Sequence, residues 1–144
     1  MALDMEKFRQ TYIEESFEGL DVMEQGLLEL EFGDPDIEEI NTIFRAAHSI
    51  KGGSGTFGFD EVTSFTHVLE TLLDEMRSLT RNVSDEAVNL LLESVDILRV
   101  MFTAWQEKEP VDKVRAAEVQ AKLEALRKGR SAVAPPPAVA EAPV

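Results

Sequence analysis

Cysteine is absent from the 144-residue chain, which excludes a disulfide framework, a thiolate metal site and a cysteine nucleophile. Histidine is scarce, with two residues, so imidazole chemistry has only two places to sit. No apolar run approaches the ~20 residues that span a bilayer. The opening MALDMEKFRQ lacks the basic-then-apolar build of a secretory signal. Basic residues are also in short supply: 14 Lys and Arg stand against 28 Asp and Glu, a net charge of −14. A surface this acidic repels nucleic-acid phosphates and anionic lipid heads. The expectation is a cytoplasmic protein that binds no nucleic acid, makes no direct membrane contact and favours partners with cationic surfaces. The imbalance is concentrated at the start, where residues 1–44 hold 13 acids and 2 bases.

What the chain does have is helical periodicity. Ile13, Phe17, Leu20, Met23, Leu27 and Leu30 step by three and four, drawing one apolar stripe from about Asp4 to Glu31. Gly33, Asp34 and Pro35 interrupt it. A second stripe starts near Asp36 and runs through Ile37, Ile40, Phe44, Ala47 and Ile50. A third, with Asp60 as its expected N-cap, carries Val62, Phe65, Leu69, Leu72, Met76 and Leu79. A fourth follows Ser84 with Val88, Leu91, Val95, Leu98, Phe102 and Trp105, and Pro110 is expected to end it. A shorter fifth, from about Asp112 to Lys128, has Val119, Leu123 and Leu126. No segment alternates with period two. Short connections make neighbours antiparallel, so the expected architecture is all-α: an up-and-down four-helix bundle with a fifth C-terminal helix packed on it or trailing from it. The expected division is a domain over residues 1–130, then an Ala/Pro-rich flexible linker over 131–144 leading to further parts of a longer protein.

The two histidines lie on helices two and three. His48 falls roughly 100° from the centre of its helix's apolar stripe, among Asn41, Arg45, Lys51, Gly52 and Gly55. Four glycines crowd positions 52–58. Either this is a loop, or the helix continues and gives up about 0.8–1.0 kcal/mol per glycine so that a bulky partner can lie flat over His48. It is not a P-loop, because Lys51 precedes the glycines instead of following them. On helix three, His67 and Glu70 share a face one turn apart. If helices two and three are antiparallel neighbours, Glu70 can reach the His48 imidazole. A carboxylate accepting the Nδ1 proton fixes the tautomer and leaves Nε2 as a free nucleophile. Lys51 could then pair with a phosphoryl group. A zinc site from both histidines and Glu70 lacks a further ligand at metal-like spacing, and no serine sits in a hydrolase elbow. No bound metal is expected.

The run from Phe44 to Phe59, FRAAHSIKGGSGTFGF, resembles the signature of histidine phosphotransfer (HPt) domains. It is most similar to the N-terminal phosphoacceptor domains of chemotaxis histidine kinases of the CheA type. THVLETLLDEMR, residues 66–77, resembles the third-helix motif of the same domains. Ser54 stands where many relatives have alanine. The resemblance covers roughly residues 1–128. It implies that His48 is phosphorylated through Nε2, that Glu70 holds Nδ1, and that Lys51 and His67 complete the polar network. It implies a phosphoryl donor, ATP, handled by a kinase catalytic domain of the same or another CheA that this chain lacks. The acceptor would be an aspartate of a CheY- or CheB-type response regulator, which binds the Mg²⁺. The chain would hold no cofactor and would not be catalytic alone, being a fragment of a protein histidine kinase. The alternative is an inert helical adaptor that docks partners through its acidic first helix.

Overall fold

The computed structural model describes residues 2–31, 35–78 and 83–128, with side chains from residue 5 onward. Five helices follow in chain order: α1 (Ala2–Glu29), α2 (Ile37–Thr56), α3 (Asp60–Arg77), α4 (Asp85–Gln106) and α5 (Lys113–Arg127). The described residues contain no strand. The expected break at Gly33 and Asp34, Leu79 of the third stripe, and the 131–144 linker lie outside the described residues.

The stripes become the core. Ile13, Leu20, Met23, Leu27, Ile40, Leu69, Leu72, Leu91, Val95, Leu98 and Phe102 are buried together, each large side chain contributing about 1.5–3 kcal/mol of apolar transfer free energy. α1 packs on α2 and α4, α2 packs on α3, and α5 lies across α3 and α4. Burial of Val119, Leu123 and Leu126 seats the fifth helix on the bundle. The observed stripe on α2 differs from the expected one: Ile43 is fully buried, whereas Ile37 and Phe44 are only partly buried at the edge of the core.

Caps account for most helix ends. The Asp36, Ser84 and Asp112 side chains accept hydrogen bonds from the first backbone amides of α2, α4 and α5. Asp60 is not the N-cap of α3. Phe59 takes that position without a side-chain bond, because its ring is needed in the core, and Asp60 and Glu61 complement the dipole from the first turn. Pro110 does not end α4 either. The helix stops at Gln106, and Lys108 adopts the left-handed conformation with φ of 59°. Amides of Lys108 and Glu109 return to the carbonyls of Trp105 and Ala104, a Schellman closure.

Helix α2 continues through the glycine-rich segment as far as Thr56, which settles the choice between helix and loop at Gly52, Gly53 and Gly55. Gly58 does the loop's work. At φ of +72° it closes α2 by the same motif, with Gly58 and Phe59 amides bonded to the carbonyls of Gly55 and Ser54.

Candidate functional site

Packing of α2 on α3 brings His48 and Glu70 together. His48 Nδ1 donates to Glu70 Oε2 at 3.0 Å, the polarity a carboxylate acceptor imposes. The other carboxylate oxygen, Oε1, accepts from Lys51 Nζ at 3.2 Å. Glu70 thus joins two α2 side chains one turn apart. The exposures differ sharply: the His48 side chain is 64% accessible and that of Glu70 11%. The carboxylate is held inside the helix pair while the imidazole stands out from it. With Nδ1 occupied, the neutral ring keeps its lone pair on Nε2.

Gly52 and Gly55 are exposed, and a Cβ at either would meet no atom within 4 Å. Packing therefore does not demand glycine at these two positions. Gly53 is different. A Cβ there would collide with the ring of Tyr12, which lies on that side of α2 and donates from its hydroxyl to the carbonyl of Ile50 at 2.5 Å. Ser54, fully buried, donates to the Lys51 carbonyl at 2.6 Å and shares a 2.6 Å hydrogen bond with Thr63 of α3. The turn that follows His48 is consequently fixed from α1 and from α3. Tyr12 itself stacks on Phe57, with centroids 5.4 Å apart, and meets Phe102 and Trp105 edge-on. Burial pushes its phenol up to about 12, while the neighbouring Ser16 and Ser54 hydroxyls pull weakly the other way.

His67 is exposed on α3. Among the described residues its ring makes no hydrogen bond or ion pair, so the structure does not join it to the His48–Glu70–Lys51 set. Sequence reasoning missed Tyr12, whose contact with Gly53 spans two helices. It also placed Phe44 with the core, although that ring lies parallel to His48, with centroids 6.1 Å apart and an interplanar angle of 9°. No group of three or more His, Asp or Glu is placed to hold a metal ion among the described residues.

The Hpt domain family model matches residues 7–129. The chain belongs to the Hpt domain family. Chemotaxis protein CheA of Klebsiella aerogenes is 44% identical over 98% of this chain and 22% of its own length. The Salmonella typhimurium CheA is 46% identical over 78% of this chain and 17% of its own. This Hpt chain thus spans about a fifth of the length of these curated relatives. Among solved structures, the phosphorylated P1 domain of CheA3 in complex with CheY6 from R. sphaeroides matches with a TM-score of 0.75 and 27% identity. The match covers 85% of this chain and 96% of that one. The Hpt fold is an all-α bundle, as the periodicity indicated.

Proposed function

We propose that this Hpt domain is the phosphoacceptor and phosphotransfer domain of a chemotaxis sensor histidine kinase, with His48 as the phosphorylated residue. The observation that carries the reading is the exposed imidazole bonded through Nδ1 to a shielded carboxylate. The CheA relatives and the phosphorylated, CheY6-bound P1 domain support it. In the forward step the Nε2 lone pair attacks the γ-phosphorus of ATP held by a separate kinase catalytic domain of the same or another CheA, and ADP leaves. The Nδ1 proton stays in place, so the ring becomes cationic and Glu70 compensates that charge. In the second step an aspartate oxygen of a CheY- or CheB-type regulator attacks the same phosphorus in line. Nε2 leaves with its electron pair and the neutral tautomer returns.

Lys51 would pair with the phosphoryl oxygens as the charge of Glu70 turns to the imidazolium. His67, exposed one turn from Glu70, would meet the phosphoryl group or the docked partner. Gly52 and Gly55 would keep the approach open. ATP and Mg²⁺ belong to the partners in this scheme and the chain holds no cofactor. Among the described residues no helix is long and apolar enough to cross a membrane, and the cytoplasm, where ATP and receiver domains meet, is the proposed location.

The test is to supply a CheA kinase catalytic domain with radiolabelled ATP and Mg²⁺. Acid-labile, base-stable phosphate is expected on the native chain and only background on His48→Gln, with the label moving to a CheY-type receiver. A His48→Gln variant that labels normally would overturn the assignment. A native chain that never labels would favour the adaptor reading.

A further inference from the structure

A single hydrogen bond does not orient an imidazole. His48 is held at Nδ1 by Glu70, but most of its side chain is in solvent, and one bond at one ring atom leaves the plane free to rock about that contact. Nε2 lies across the ring from Nδ1, so rocking swings the reactive lone pair away from an in-line donor.

A second contact reaches the ring from Phe44 of α2, which is itself backed by Arg77 of α3. Phe44, one helical turn before His48, lies nearly parallel to it at 9°, with centroids 6.1 Å apart, inside the range of offset-stacked pairs. The guanidinium carbon of Arg77 sits 3.8 Å from the Phe44 ring centroid, within cation–π distance. Arg77 is in turn tied by its Nε to Asp74 Oδ1 at 2.9 Å and reaches Asn41 Oδ1 at 3.5 Å. The last turn of α3 thereby holds Phe44 from above, and Phe44 offers a flat surface to His48. This accounts for the half-exposed position of an aromatic side chain that the helical pattern assigned to the core.

From this geometry we infer that Phe44 and Arg77 are positioning residues for His48: Arg77 fixes the Phe44 ring, and Phe44 sets the plane of the imidazole so that Nε2 points along the line of phosphoryl transfer. The inference rests on the phosphoacceptor reading above. Neither residue touches the reacting atoms, so neither should alter the nucleophilicity of Nε2; both should alter how often it is aimed.

The experiment compares the full chain with Phe44→Leu, Arg77→Ala and Arg77→Lys. A CheA kinase catalytic domain with ATP and Mg²⁺ serves as one donor, and phosphoramidate, a small donor that can approach from any direction, as the other. With the kinase, Phe44→Leu and Arg77→Ala should lower kcat by about five- to tenfold at unchanged KM for the chain, because alignment is lost and docking is not. Arg77→Lys, which keeps a cation over the ring, should recover most of the rate. With phosphoramidate all variants should react within about twofold of the native chain. The His48 Cε1 proton should lose its ring-current shift in Phe44→Leu, at a melting temperature near that of the native chain.

A rise in KM instead of a fall in kcat would make Phe44 a docking contact and overturn the inference. So would an equal loss with phosphoramidate, or normal kinetics throughout. If Phe44→Leu unfolds, Arg77→Ala, at a helix end with a partly exposed side chain, decides alone. A native chain that phosphoramidate labels and the kinase does not would sink the phosphoacceptor reading. The stacking contact would then still be judged by the proton shift, whose persistence in Phe44→Leu would refute it.

Discussion

The two sides of one helical turn in α2 are built in opposite ways. Toward solvent, around His48, bulk has been removed: Gly52 and Gly55 leave open space where side chains would stand. Toward α1, around Gly53, space has been filled: Tyr12 lies where a Cβ would be, bonded to the Ile50 carbonyl and stacked on Phe57. The same residue type leaves open space on one side and permits close packing on the other. The filled side also makes the empty side workable. A helix carrying three glycines in four positions is intrinsically weak, and the aromatic group around Tyr12, together with the Ser54–Thr63 bond, holds it in register.

The largest expected effect lies on the open side. Glu70→Gln keeps an acceptor for the Nδ1 proton but removes the charge that, in the proposed mechanism, balances the imidazolium. Groups in this role are typically worth about 10²–10⁴-fold. Phosphorylation by the kinase should slow by that order with helicity unchanged, as read by stopped-time labelling and circular dichroism. A loss of thermal stability large enough to account for the slower labelling would place Glu70 among the structural residues instead.

Next in size are the bulk insertions. Gly52→Leu and Gly55→Leu put side chains into the proposed approach path, and displacement of a partner by an ångström can cost about 10²-fold. Both labelling and transfer should fall by about ten- to a hundredfold. Each variant should melt at or above the native temperature, since replacing a helix-interior glycine gains up to about 1 kcal/mol. Normal rates in both variants would mean that the open surface is not where partners dock.

Gly53→Ala sharpens the contrast by reversing the sign. The new methyl meets a ring that cannot step aside, and overpacking of this kind costs about 1–3 kcal/mol. The melting temperature should fall by several degrees, while Gly52→Ala, one residue away, should raise it. If both variants moved the same way, the division of the turn into an open and a filled side would be wrong.

How much of this could be read beforehand follows from the range of each interaction. The helices and most of the core were legible because periodicity is local: residues three and four apart share a face wherever the helix lies. The His48–Glu70 pair was legible because two stripes with a short connection between them can only fold back on each other. Gly53 was not, since its reason is Tyr12, 41 positions earlier in sequence and on a different helix. Phe44 misled for the opposite reason. Its spacing fits the buried stripe, but Arg77 from the far end of α3 competes for its face. The ends of α3 and α4 escaped because Phe59 is worth more in the core than a capped amide. Likewise the turn at Lys108 closes α4 before Pro110 can.

The smallest expected effect tests the filled side directly. Tyr12 is the chain's one tyrosine, so tyrosinate absorbance reports it without interference. Burial pushes its phenol up to about 12 in the folded protein, against about 10 in an unfolded chain. Between those values the unfolded chain has released the proton and the folded chain retains it. The folded state therefore binds more protons, and stability must fall as pH rises. The contribution is complete below about pH 10 and is lost as the pH climbs through about 12. Tyr12→Phe removes the hydrogen bond to Ile50 and should cost about 1 kcal/mol at neutral pH. It should also remove the part of the alkaline decline that the native chain owes to this one phenol, as the difference between the two denaturation curves across that interval would show. The Ile50 carbonyl keeps its helical partner, so phosphorylation should change little. A tyrosinate midpoint near 10 in the folded native chain would mean that the ring is not buried against Gly53, and the filled side of the turn would lose its main support.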